Sequence, residues 1–204
     1  MKYFSAIILL FLTLAGQSAL GTEQPFERLS DTVDATLNVL YADSCGHLTA
    51  EQKQAKVRSV LEERYDLSIL IRRSMGRNWK LLKVDEQGRV SDLIKQLIVK
   101  AYVEGLNGKA RPLVSYGEVI QVSEKRLEVP STIVLGDKTF NLLYRLGRLK
   151  SGWQIYDIVA EDISVVSNYR QQFDDHFRKA NGAQLIEKLE ELLNKKGLNE
   201  GIKL

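Results

Sequence analysis

The sequence predicts an α+β domain, with a helical first half, an antiparallel meander, and further helices at the end. Three observations carry this expectation. Apolar residues recur every three or four positions as far as Leu106, and they alternate in short runs between turn residues from Leu113 to Val159. The unbroken run WQIYDIVAEDISVVSNYRQQF, Trp153 to Phe173, changes period partway through. Trp153, Ile155 and Ile158 read as a strand, whereas Ile163, Val166, Tyr169, Phe173 and Phe177 read as one helical face. A last strand is therefore expected to run almost directly into a helix that folds back on the sheet.

The chain opens with Met1-Lys2, an apolar core from Ile7 to Leu14, and the small-x-small pattern Ala19-Leu20-Gly21. This is the grammar of a secretory signal peptide over residues 1–21, cut after Gly21, leaving residues 22–204 as a single exported domain. The apolar core is shorter than the roughly 20 residues a membrane span needs. No Cys follows the cleavage pattern, so a lipid anchor is not expected there.

In the mature chain Phe26, Leu29, Val33, Leu37, Leu40 and Tyr41 form the stripe of a first helix, ended by the loop at Cys45-Gly46-His47. Thr49 followed by Gln52 has the spacing of a capping box for a second helix with Val57, Val60 and Leu61 inward. Tyr65-Asp66 then opens a short helix carrying Leu67, Leu70, Ile71 and Met75, closed by Gly76. After Trp79 a long helix is expected from about Asp85 to Leu106, with Val90, Leu93, Leu97, Ala101 and Val103 inward, and Asn107-Gly108 ends it. Four strands follow at hairpin spacing: Leu113 to Val122, Leu127 to Leu135, Thr139 to Leu149 and Trp153 to Val159, with turns at Gly136-Asp137 and Ser151-Gly152. Such a meander needs one face covered, and the available covers are the helical half and a helix from Ser164 to Ala180. Asn181 with Gln184 three residues on starts a final helix bearing Leu185, Leu189 and Leu192, with Gly197 at its end.

Composition excludes several classes. The formal net charge is +3, falling to +2 once Lys2 is removed, and no Lys/Arg block stands apart from acidic residues, so no nucleic-acid partner is implied. One Cys rules out an intrachain disulfide framework, which leaves stability to the core. Cys45 and His47 are two residues apart around Gly46, an arrangement that does not aim a base at a thiol. His47 and His176 have no metal-ligand spacing, and the chain holds no Gly-rich phosphate loop, GxSxG or HExxH. No catalytic or metal-ligating set and no cofactor is expected from these patterns.

The run from Trp153 to Phe173 resembles the C-terminal signature of the MlaC/Ttg2D family, the periplasmic phospholipid-binding components of MCE-type ABC lipid transport systems linked to toluene tolerance and outer-membrane asymmetry. The family pattern has a Trp, a Tyr-Asp or Val-Asp pair shortly after it, and a hydrophobic-Glu-Gly-Val-Ser helix start. Tyr65-Asp66, Trp79 and Tyr102 also fall where the family has aromatic positions, and the resemblance covers about Phe26 to Leu193. Asp162 departs from it, standing where the family commonly has Gly, as do Gly88 and Leu93 in the long helix.

The resemblance implies an NTF2-like architecture: a curved sheet of about four antiparallel strands wrapped by N-terminal and C-terminal helices around an apolar cavity. From the residues alone, the same side chains read equally well as filled core. Under the resemblance, the residues expected to line a lipid cavity are Leu70, Ile71, Leu97, Ala101, Val134, Leu142, Tyr144, Trp153, Ile155, Ile158 and Val166. It further implies a monomeric periplasmic carrier whose cargo is phospholipid, with an inner-membrane MCE-type ABC transporter complex and an outer-membrane lipoprotein complex as partners. A related branch would carry a hopanoid. NTF2-like cavities also host proton-transfer enzymes, and Asp157 with Tyr144 or Tyr156 supplies the residue types for one. Asp157 has a second reading as an acceptor for a helix N-terminus or another backbone donor.

Overall fold

The chain folds as helices α1 (Pro25–Tyr41), α2 (Ala50–Arg64), α3 (Leu67–Met75) and α4 (Val84–Leu106), followed by a sheet and two further helices. The strands are β1 (Leu113–Tyr116), β2 (Ile120–Ser123), β3 (Arg126–Leu135), β4 (Lys138–Leu149), β5 (Gly152–Ala160) and β6 (Ile163–Ser164); α5 (Val165–Phe177) and α6 (Gly182–Asn194) close the fold. The computed structural model describes residues 24–195; the expected signal segment 1–21 and the expected stop at Gly197 lie outside them. Among the described residues no helix is long and apolar enough to cross a membrane.

The helix starts follow local chemistry. The Thr49 hydroxyl accepts from Gln52 N at 3.3 Å while Gln52 Oε1 accepts from Thr49 N at 2.9 Å, and Asn181 with Gln184 repeats this reciprocal cap on α6 at 3.1 and 3.0 Å. Asp66 Oδ1 accepts from Ser68 N at 2.9 Å, which opens α3. Helix α4 is the hub: Leu93 and Leu97 pack with α3, α5 and α6, while Val99 and Val103 pack with α1 and α2.

All strand pairs are antiparallel, in the order β1-β3-β4-β5-β6, with β2 also on β3. The run from Leu113 to Val122, expected as one strand, is divided between β1 and β2. Pro130 explains the break. Its carbonyl accepts from Gly117 N at 2.9 Å, so its backbone faces this edge, where proline has no N–H to return. The inner face of the sheet carries Leu127, Val129 and Ser131 from β3 opposite Leu146, Tyr144 and Leu142 of β4. Phe26, Leu29 and Val33 of α1 pack on this face. The outer face carries Glu128, Arg145 and Asp157 in one row across β3, β4 and β5.

Two expectations need correction. Val134 stands one residue out of phase with the inner set, pairs with Thr139, and lies on the other face at 37% exposure. The Leu135–Lys138 pairing around a two-residue turn fixes that phase, and a single-residue step exchanges faces. Ile163 belongs to β6, paired with Ala160, and is 59% exposed instead of starting the helical face. The reason is the turn before it: Glu161 and Asp162 have φ of 46° and 63°, a left-handed pair that folds β6 back on β5. Asp162 thus occupies the conformation that glycine adopts most readily, at the very position where it departs from the family pattern.

Gly182 shows how tightly α6 seats on α4. A Cβ there would come within 2.5 Å of Glu86 Oε2 and 2.8 Å of Leu82 Cδ2. Glu86 Oε2 also accepts from Lys83 N at 2.9 Å, and Leu82 is buried, so relief disturbs either a cap or the core. Gly182→Ala is expected to cost about 1–3 kcal/mol by overpacking, measured as a lowered urea midpoint with unchanged slope.

Candidate functional site

An apolar cleft of about 140 Å³ lies where α3, α4, α5, α6 and β5 converge. Helix α3 contributes Leu70, Ile71 and Ser74, and α4 contributes Ile94 and Ile98. The far wall is Val165, Val166, Tyr169 and Phe173 of α5, completed by Ile158 and Leu189. Leu70 and Ser74 reach it together because they are four residues apart on one helix, as are Ile94 and Ile98. Among the described residues, Ser74 and Tyr169 are its only polar side chains.

Four of the residues expected to line a cavity meet in this cleft: Leu70, Ile71, Ile158 and Val166. Leu142, Tyr144, Trp153 and Ile155 form a second group on the inner sheet face under α1, and Ile158 belongs to both groups. Leu97 is fully buried in the helical core and Ala101 packs half-buried against it, so neither faces the cleft. Val134, on the outer face, joins neither group. Sequence reasoning passed over Ile94 and Ile98, although both widen the apolar stripe through Val90, Leu93 and Leu97 and could have been found from it. Tyr169 and Phe173 were legible as a helical face, but which side of α5 met a gap was not.

Asp157 anchors this wall. It is 6% exposed, and its carboxylate is saturated: Oδ1 accepts from Ile158 N at 2.9 Å and Val166 N at 3.2 Å, while Oδ2 accepts from Arg145 Nη1 at 3.2 Å and Ser164 Oγ at 2.8 Å. Ser164 in turn accepts from Ser167 N at 3.0 Å, so two side chains cap α5. A bulge makes this possible. Ile155 pairs with Leu146 and Asp157 with Arg145, leaving Tyr156 as the extra residue and keeping both Ile155 and Ile158 inward. The strand can then bury its isoleucines while aiming a carboxylate at the helix that follows.

Tyr144 is inward and Asp157 outward, so the sheet separates the acid–base pair considered above. Burial pushes the Tyr144 hydroxyl up to about 12, keeping it neutral. Burial also raises Tyr116, its neighbour on the inner face. Tyr156 lies beside Asp157 in sequence, but its ring carries the Arg73 and Arg126 guanidiniums at 4.9 and 5.9 Å from its centre. Among the described residues, no group of three or more His, Cys, Asp or Glu is placed to hold a metal ion.

Comparisons with known proteins bear on the fold and the family. A solved structure, that of a phospholipid-binding protein from Ralstonia solanacearum in complex with a phospholipid, superposes with a TM-score of 0.72 at 22% identity, covering 82% of this chain and 95% of that one. At that identity the likeness is one of fold. No curated protein matches the chain significantly. The model of the MlaC protein family matches residues 30–191, from the middle of α1 to the last turn of α6, and the chain therefore belongs to the MlaC family.

Proposed function

We propose that the protein binds phospholipid, holding the acyl chains between the inner sheet face and the α3–α4–α5 wall, and carries it through the periplasm. The observation that carries this reading is Ile158. It joins the cleft to the sheet-face group, so that one apolar surface runs from Phe26 and Leu29 beneath the sheet to Tyr169 and Phe173. Family membership supports it, as does the phospholipid held by the Ralstonia protein.

Burying two acyl chains of roughly 28 methylenes is worth on the order of 22 kcal/mol gross at about 0.8 kcal/mol each. That is above the practical ceiling of about 18–21 kcal/mol, so ordering and opening must offset part of it. A surface able to do this needs no reacting group, and the saturated carboxylate of Asp157 is consistent with a binder. Delivery between an inner-membrane MCE-type ABC transporter complex and an outer-membrane lipoprotein complex completes the reading. The N-terminal signal pattern and the family support it.

The test is to express the full chain in bacteria, purify the exported product without detergent, and analyse an organic extract by mass spectrometry. Near-stoichiometric phospholipid is expected. A protein that never carries lipid overturns the proposal, and a triterpenoid in the extract replaces phospholipid with a hopanoid cargo.

A further inference from the structure

A second concave site, of about 330 Å³, opens where β3 begins, β4 ends and β5 begins. Four basic residues line it, Arg73 from α3, Lys125 and Arg126 at the entry of β3, and Arg148 at the end of β4, and two of them, Arg73 and Arg126, set their guanidiniums over the Tyr156 ring. Among the described residues no carboxylate lines it and none of the four is ion-paired. The Tyr156 ring forms one wall, with the guanidiniums of Arg73 and Arg126 at 4.9 and 5.9 Å from its centre. The ring packs against Gly147, where a Cβ would stand 3.2 Å from Tyr156 Cδ1. The bulge that turns Asp157 toward α5 also leaves Tyr156 on this side, so one irregularity in β5 builds both features.

The two guanidiniums at this ring, with Lys125 and Arg148 beside the hollow, repel each other. The face of one aromatic ring offsets part of that for two of them, at about 0.5–1 kcal/mol each at exposed sites. The remaining positive potential is unbalanced, and guanidinium forks match phosphate oxygens in geometry as well as charge. Helix α3 presents Arg73 to this pocket, while its neighbours Leu70 and Ser74 face the apolar cleft.

We propose that the Arg73–Lys125–Arg126–Arg148 pocket is a phosphate-binding subsite. The phosphate is that of a cargo lipid or of a free phosphorylated molecule. Only the first source rests on the lipid-binding reading above.

The experiment titrates inorganic phosphate and glycerol 3-phosphate into lipid-loaded and delipidated protein at fixed ionic strength, following the Gly147 and Tyr156 amides by NMR. Fixed ionic strength matters because the four cations are exposed and screened within about 8 Å at physiological salt. Saturable shifts at these amides are expected, weakened about ten-fold or more in Arg73→Gln/Arg126→Gln and less in Arg126→Lys, which keeps the charge without the fork. Shifts seen only after delipidation assign the pocket to the cargo phosphate. Shifts in both forms assign it to a free phosphorylated molecule. If neither probe shifts these amides, or the double variant binds as tightly as the parent, the subsite does not exist, whatever the lipid extract contains. If the extract is empty but the shifts saturate, the lipid reading fails and the subsite stands.

Discussion

Asp157→Ala is expected to destabilise the protein by about 3 kcal/mol, a fall in melting temperature of about 6–12 °C for a domain of this size. The residue gives up four hydrogen bonds at once. Val166 N, at the first turn of α5, loses its only acceptor among these contacts, and a buried donor left unsatisfied costs about 1–3 kcal/mol. Arg145 loses one of two carboxylates but keeps Glu128 at 2.9 Å and is about a third exposed, so its share is modest. Ser164 loses the acceptor that orients its hydroxyl as the cap of α5. Asp157→Asn is expected to cost less, because the amide oxygen can still accept from one backbone donor, though its NH₂ then faces a donor. Thermal denaturation of the two variants checks the order. If alanine matches the parent, the carboxylate does not hold α5, and the strand-to-helix passage owes its geometry to packing alone.

This carboxylate marks the division between what could be read in the chain and what could not. Helix starts were legible because their causes lie within three residues: Thr49 with Gln52, Asp66 with Ser68, Asn181 with Gln184. The meander was legible from its turns. Strand phase was not, since the face given to Val134 depends on the turn that pairs Leu135 with Lys138, and the inward setting of both Ile155 and Ile158 depends on the bulge at Tyr156. Neither leaves an unambiguous mark on apolar alternation. The helical face was misread at Ile163 because its spacing fits a helix while the left-handed turn at Glu161-Asp162 assigns it to a strand. The cleft was the least legible feature. Side chains that border a gap and side chains that fill a core have the same hydrophobicity, and only their three-dimensional fit separates them.

That fit leads to the second large effect: Ile98→Trp is expected to fold with a loss of no more than about 1–3 kcal/mol, yet to purify with less than about a tenth of the parent's phospholipid. The cleft holds about 140 Å³, below the roughly 300–1,000 Å³ of ordinary small-ligand pockets, so two acyl chains can enter only if its walls part. Arg170 of α5 donates to the Arg73 carbonyl and ties α5 to α3, so the seam with least to hold it is the one between α3 and α4, where Leu70 and Ile71 border the cleft with Ile94 and Ile98. An indole at position 98 fills the gap from the α4 side, adding contacts to the closed arrangement that any opening has to break. It therefore weakens lipid binding by the free energy with which it favours the closed arrangement over the open one, whatever overpacking costs both against the unfolded chain. Leu142→Arg acts differently. It places a charge on the inner sheet face near Tyr144, where an acyl chain would have to pass, and removes lipid without favouring closure. Circular dichroism establishes that each variant is folded, and lipid phosphorus per protein gives the readout. A folded Ile98→Trp protein with the parent's lipid content means that the chains do not enter the cleft; loss in Leu142→Arg alone would confine them to the sheet side.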